Sequence, residues 1–143
     1  ADRGILEYLK ASRLKEALQL VYFGVLMKKD LNADDTDYLK QRLRSAASQR
    51  ELEWVRFLTQ FAVNIEAEVD VEANTALILA ASSGHAEVTR FLIQSGANID
   101  AVNTVGATAL MMAVRGGHIE VTRLLVQSAA NIDVAAKDGM TAL

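Results

Sequence analysis

Residues 73–100 read ANTALILAASSGHAEVTRFLIQSGANID, and residues 106–133 read GATALMMAVRGGHIEVTRLLVQSAANID. The second stretch is the first displaced by 33 residues. Thr75 and Thr108, Gly84 and Gly117, His85 and His118, Asn98 and Asn131, and Asp100 and Asp133 occupy equivalent places. Thr141, in the closing KDGMTAL, starts a third copy. A recurrence of this length marks stacked supersecondary units, because one unit cannot bury its own apolar surface and needs a neighbour.

Each unit has its own physical logic. Thr75 and Thr108 suit the N-cap position, where a hydroxyl accepts from an amide of the first turn. Short apolar helices are expected over 76–81 and 109–114, followed by tight turns at Ser83-Gly84 and Gly116-Gly117, where small residues let the chain reverse. A second helix then places Val88, Phe91 and Leu92, or Val121, Leu124 and Leu125, on one face. Gly96 ends its helix in left-handed geometry. Asn98 and Asp100 belong to a turn, their short side chains bonding to nearby backbone.

Upstream, LRSAASQRELEWVRFLTQFAVNIEAE at 43–68 aligns with 77–102 at a displacement of 34. Identities include Leu43, Ala46, Ala47, Arg56, Phe57, Leu58, Gln60, Asn64 and Ile65, so this is a worn copy of the same unit. GVLMKKDLNAD within residues 3–36 faintly echoes RFLIQSGANID.

The period, Thr-x-Leu-x-x-Ala, Gly-His-x-Glu-Val and Gly-Ala-Asn-Ile-Asp together resemble the ankyrin repeat family. The resemblance is strongest over 70–143, weaker over 37–69 and slight before that. Two departures stand out. The family's Thr-Pro-Leu-His is Thr75-Ala76-Leu77-Ile78 and Thr108-Ala109-Leu110-Met111 here, which forgoes a proline preset for the first helical position. The family's Ala-Asp-Val-Asn turn is Ala97-Asn98-Ile99-Asp100. The resemblance implies an all-α solenoid of stacked helix-turn-helix units with β-hairpin fingers and a helical N-terminal cap. Residues 1–36 would be the cap or a highly degenerate repeat, and 37–69 a degenerate repeat. Residues 70–102 and 103–135 would be full repeats, and 136–143 the start of a truncated one.

The remaining sequence adds little chemistry. There are 143 residues, 51 % apolar and 23 % charged, with a formal net charge of -3 and no cysteine. Disulfides, thiolate metal sites and cysteine nucleophiles are therefore excluded. Residues 1–56 carry eleven Lys and Arg against nine Asp and Glu, while 57–143 carry four against nine. An acidic second half argues against a phosphate-backbone ligand. No apolar run approaches the roughly 20 residues of a membrane span, and the N-terminus does not read as a signal peptide. An intracellular, cytoplasmic setting is expected on those grounds.

Seven of the eight aromatic residues fall in the first 61 positions, and LKEALQLVYFGVLM at 14–27 is apolar nearly all round. Tyr22 and Phe23 belong either to a cap over the first repeat or to an aromatic docking patch. At the other end, Met140 and Leu143 are apolar where a solenoid cap is polar, so the array is expected to continue past Leu143.

His85 and His118 recur with the repeat, which favours a role in tying turn backbone over metal binding or catalysis. Glu66, Glu68, Asp70 and Glu72 alternate with Ala67, Val69, Val71 and Ala73. In an extended hairpin the four carboxylates would share one side. Such an edge would serve as a carboxylate cluster for a metal, a dock for a basic partner, or a solvated finger. Lys40, Arg42, Arg44 and Arg50 form a small basic cluster on the worn repeat, with Lys40 and Arg44 on one helix face. No phosphate loop, nucleophile elbow or zinc-protease motif is present.

The resemblance implies a monomeric, non-catalytic protein–protein interaction module that needs no cofactor or metal. Its partner is another protein, one with a basic patch if the acidic edge is used, and neither nucleic acid nor a membrane. The partner-facing positions are Val71, Glu72, Asn74, Ser82 and Ser83 in one repeat, joined by Glu66, Glu68 and Asp70 of the acidic run that leads into it. In the next they are Thr104, Val105, Ala107, Arg115 and Gly116, with Val102 and Ala135 at the loop ends. The rival expectation makes the repeats the targeting arm of a larger enzyme.

Overall fold

The computed structural model describes residues 33–61 and 64–128, with side chains at 36–60 and 64–128. Six helices lie among the described residues: α1 (Ala33–Ser48), α2 (Leu52–Phe61), α3 (Ala76–Ser82), α4 (Ala86–Gln94), α5 (Ala109–Arg115) and α6 (Ile119–Gln127). Each first helix packs on the second helix that follows it. The first helices α1, α3 and α5 stack in one row, and the second helices α2, α4 and α6 in another. No described helix is long and apolar enough to cross a membrane.

The short first helices are set by their caps. Thr75 and Thr108 are in extended geometry, and their hydroxyls accept from the amides of Ile78 and Met111 at 3.3 and 3.2 Å. These bonds satisfy one orphan donor at each helix start, without the proline that usually presets the turn. Gly96 follows the end of α4 with φ +90, the left-handed C-terminal geometry expected of it.

Packing repeats with the sequence. Leu43, Leu77 and Leu110 form one fully buried series, and Leu58, Leu92 and Leu125 another. Between the first helices run Ala46, Ala80 and Ala113, all without exposed surface. Alanine there permits close approach of neighbouring helices, while each buried leucine contributes roughly 1.5–3 kcal/mol of transfer free energy. Val88 and Val121 complete the inner faces of α4 and α6, with Phe91 and Leu124 half-buried beside them.

The turn inside each helix pair is built the same way three times. Glu51, His85 and His118 donate their amides to the carbonyls of Ala46, Ala80 and Ala113 at 2.9, 3.0 and 2.9 Å. The residue before each is left-handed: Arg50 at φ 66, Gly84 at φ 77 and Gly117 at φ 73. The worn repeat thus keeps the turn while holding arginine where the others have glycine.

The fingers between repeats differ from expectation. Among the described residues no strand forms; the fingers at 69–74 and 103–107 are turns. Each is closed by an outer backbone bond, Val69 to Asn74 at 2.8 Å and Asn103 to Ala107 at 3.1 Å, with an inner one from Ala73 to Asp70 at 3.1 Å and from Gly106 to Asn103 at 3.0 Å. Asp70 accepts from the amides of Glu72 and Asn74, and Asn103 from those of Val105 and Ala107. These side-chain bonds take amides that a strand ladder would have used.

The worn repeat has no finger at all. Residues 36–40 align with 70–74, yet they run as the first turns of a 16-residue α1. Leu39 stands where Ala73 and Gly106 are left-handed, at φ 59 and 78. A leucine resists that geometry, so the chain stays helical and buries Leu39 completely. The expectations for Tyr8, Tyr22, Phe23, Asn131, Asp133, Ala135, Met140, Thr141 and Leu143 lie outside the described residues.

Candidate functional site

Two kinds of side chain emerge from this scaffold: those that join repeats and those left to face outward. The histidines join. The Nε2 of His85 lies 2.8 Å from the carbonyl oxygen of Ser48, and that of His118 lies 2.9 Å from the carbonyl oxygen of Ser82. A carbonyl only accepts, so Nε2 carries the proton and each imidazole ties its turn to the first helix of the preceding repeat. The tie runs between units, rather than within one turn as the recurrence alone suggests. Among the described residues no group of His, Asp and Glu is placed to hold a metal ion.

The worn repeat has Glu51 at the histidine position. Its carboxylate takes a two-pronged bond from Arg42, both contacts at 3.0 Å, and the Arg42 guanidinium also lies 4.2 Å from the centre of the Trp54 ring. The fork geometry of guanidinium suits both contacts. Arg42 is therefore an internal brace, and the basic cluster expected on this repeat loses it.

A polar chain links the two fingers. Asn103 donates from Nδ2 to Oδ1 of Asn74 at 3.0 Å, and Asn74 donates from Nδ2 to Oδ2 of Asp70 at 2.9 Å. The amide of Thr104 donates to the carbonyl of Glu72 at 2.9 Å. Burial raises the Asp70 pKa, but bonds from the side chain and backbone of Asn74 and the backbone of Glu72, with the charge of Arg44, outweigh it. The carboxyl is held below the ordinary aspartate value.

This overturns part of the expected surface. Asp70 turns inward as a finger brace, so the four carboxylates do not share one side of an extended edge. Asn74 and Ala107 are buried, the first because Asn103 reaches across to it and the second because its amide closes the Asn103 turn. Ser82 is half-buried and offers its carbonyl to His118. Glu66 remains exposed but accepts from the amide of Asn98 at 2.7 Å, bridging successive loops.

What remains outward is Glu68, Val71, Glu72, Ser83, Val102, Thr104, Val105, Arg115 and Gly116. Val71 is 98 % exposed, and Val105 and Val102 are 52 % and 45 % exposed. Sequence reasoning missed one component. Lys40 and Gln41 on α1, with Arg44, face the finger of Glu68–Glu72 across an open cleft of about 370 Å³. The signal for it was Leu39 at a position that demands left-handed backbone.

Stacked helix pairs, turn ties between neighbours and outward-facing loops define a helical repeat protein. The sequence model for the family described as ankyrin repeats (many copies) matches residues 77–126, and this stretch of the chain consists of ankyrin repeats. No curated protein matches it. Ankyrin repeats are generally protein–protein interaction modules.

Proposed function

We propose that this chain binds a protein partner through its finger tips and the exposed sides of its first helices, and catalyses no reaction itself. The observation that carries this is the exposure of Val71, Val102 and Val105 beside the exposed Glu68 and Glu72. Apolar side chains held out on braced turns are costly to hydrate, and burying them against a partner recovers that free energy. Rigid turns also lower the ordering cost of association. Both histidines are engaged with carbonyl oxygens, which supports a non-catalytic reading. An intracellular setting is part of the same proposal and rests on composition.

A photo-crosslinking amino acid placed at Val71 or at Val105 tests this in cells expressing the chain. Placed at Gln127, exposed on α6, it serves as control. Adducts of higher mass are expected from both finger positions and not from Gln127. Adducts from Gln127 alone would move the binding surface to the second helices.

A further inference from the structure

The cleft between α1 and the first finger has walls of opposite charge. Lys40 and Arg44 lie on the helical wall; Glu68 and Glu72 lie on the finger. Among the described residues, none of these four side chains takes part in an ion pair or side-chain hydrogen bond. They do not neutralise each other across the gap, although Arg44 is near enough to Asp70 to feel its charge. Asp37 lies at the helical wall, Gln41 between its cations, and Val71 at the outer lip of the finger. The cleft exists because α1 replaces a finger, so it occurs once among the described repeats.

Resting on the binding-module reading, we propose that this cleft selects a partner segment carrying a carboxylate and a cationic side chain together, with an apolar residue placed against Val71. The carboxylate meets Lys40 and Arg44, and the cation meets Glu68 and Glu72. Charge complementarity fixes the occupant. A purely basic peptide meets Lys40 and Arg44 as like charges, and a purely acidic one meets the finger in the same way. A phosphate backbone is repelled by Glu68 and Glu72, with Asp70 and Asp37 adding to the same field. Opposed walls also set direction, since reversing the segment places each charge against its like.

The test uses the whole chain and short fluorescein-labelled peptides in three sets: acidic and basic residues together, basic only, and acidic only, each with central valine or leucine. Fluorescence anisotropy at low salt gives the affinities. The mixed set is expected to supply the tightest binders. Lys40→Glu with Arg44→Glu should weaken them about tenfold, and Glu68→Lys with Glu72→Lys about as much, with molar salt removing most of the difference. Reversing all four charges should restore binding to peptides of inverted charge order. All four positions are exposed or half-buried and unbonded, so unchanged helical circular dichroism and melting are expected in each variant.

Basic-only peptides that bind the parent as tightly as the mixed set overturn the proposal, as does indifference to Lys40→Glu with Arg44→Glu. Failure of every set to bind overturns it too. Crosslinks from Val71 and Val105 would still stand in those cases, so the broader function fails only if those crosslinks are absent.

Discussion

The Cα of Gly84 lies against the imidazole of His118 so closely that a Cβ built there would stand 2.5 Å from Nδ1. That same ring is fixed by its bond to the Ser82 carbonyl, so it has little freedom to retreat. The close approach of one repeat's turn to the next repeat's histidine therefore depends on glycine twice, for space and for its φ of +77.

Gly84→Ala should accordingly cost about 2–3 kcal/mol, combining left-handed strain with displacement of the His118 bond. Gly117→Ala provides the contrast. Its φ is +73, yet nothing lies within 4 Å of a Cβ there, so strain alone should cost about 1 kcal/mol. Urea unfolding of the two variants measures the difference. Equal losses would mean that the His118 ring yields freely and does not clip the repeats.

Leu92 has no exposed surface and belongs to the leucine series shared by α2, α4 and α6. Leu92→Ala should lose about 2–5 kcal/mol through the cavity it opens. A thermal midpoint equal to the parent's would show that the second helices share no common interior.

How much of this was visible beforehand depends on what each residue interacts with. Thr75, Thr108 and Gly96 act on their own backbone within a few residues, so the repeat displayed their roles directly. Val88, Leu92, Val121 and Leu125 follow from helical spacing for the same reason. Asp70 was misplaced because alternation implies a shared side only in a strand, and two side-chain-braced turns replace the strand here. Asn74 was expected outside because its burial depends on the next repeat's Asn103, and Ala107 because its place is set by the Asn103 side chain folding back within its own finger. Glu51 and Arg42, nine positions apart across a turn, fall outside any period a helix produces. The cleft on α1 needed knowledge of the backbone geometry at Ala73 and Gly106, which Leu39 refuses.

Asp70 should leave a signature in acid. Its folded pKa lies below the unfolded value of about 3.9. Around that value the unfolded chain therefore binds more protons, and stability rises with pH. The contribution is fully present above the unfolded value and is lost as pH falls through the folded one. Asp70→Asn keeps an oxygen for the two amides but cannot accept from Asn74 on its other arm. It should melt lower near neutrality and show a shallower loss of melting temperature below about pH 4. Parallel melting curves for parent and variant across that range would remove Asp70 from the acid response.

Ala73 offers the opposite experiment, a gain of stability. At φ 59 it holds the left-handed position that Gly106 fills in the next finger at φ 78. The strain on a non-glycine residue is about 1–2 kcal/mol, against which glycine loses roughly 0.4–1 kcal/mol through its freer unfolded chain. Ala73→Gly should therefore stabilise the protein by about 0.5–1 kcal/mol, and the Asp70–Asn74 turn around it should remain closed. Arg50→Gly acts on the equivalent strain at φ 66 in a different turn that shares no hydrogen bond with the finger of Ala73, so the two gains are expected to add. Chemical denaturation of the single and double variants decides the matter. A double variant no more stable than the parent would mean that the unfolded chain, rather than the left-handed turn, sets the balance at these positions.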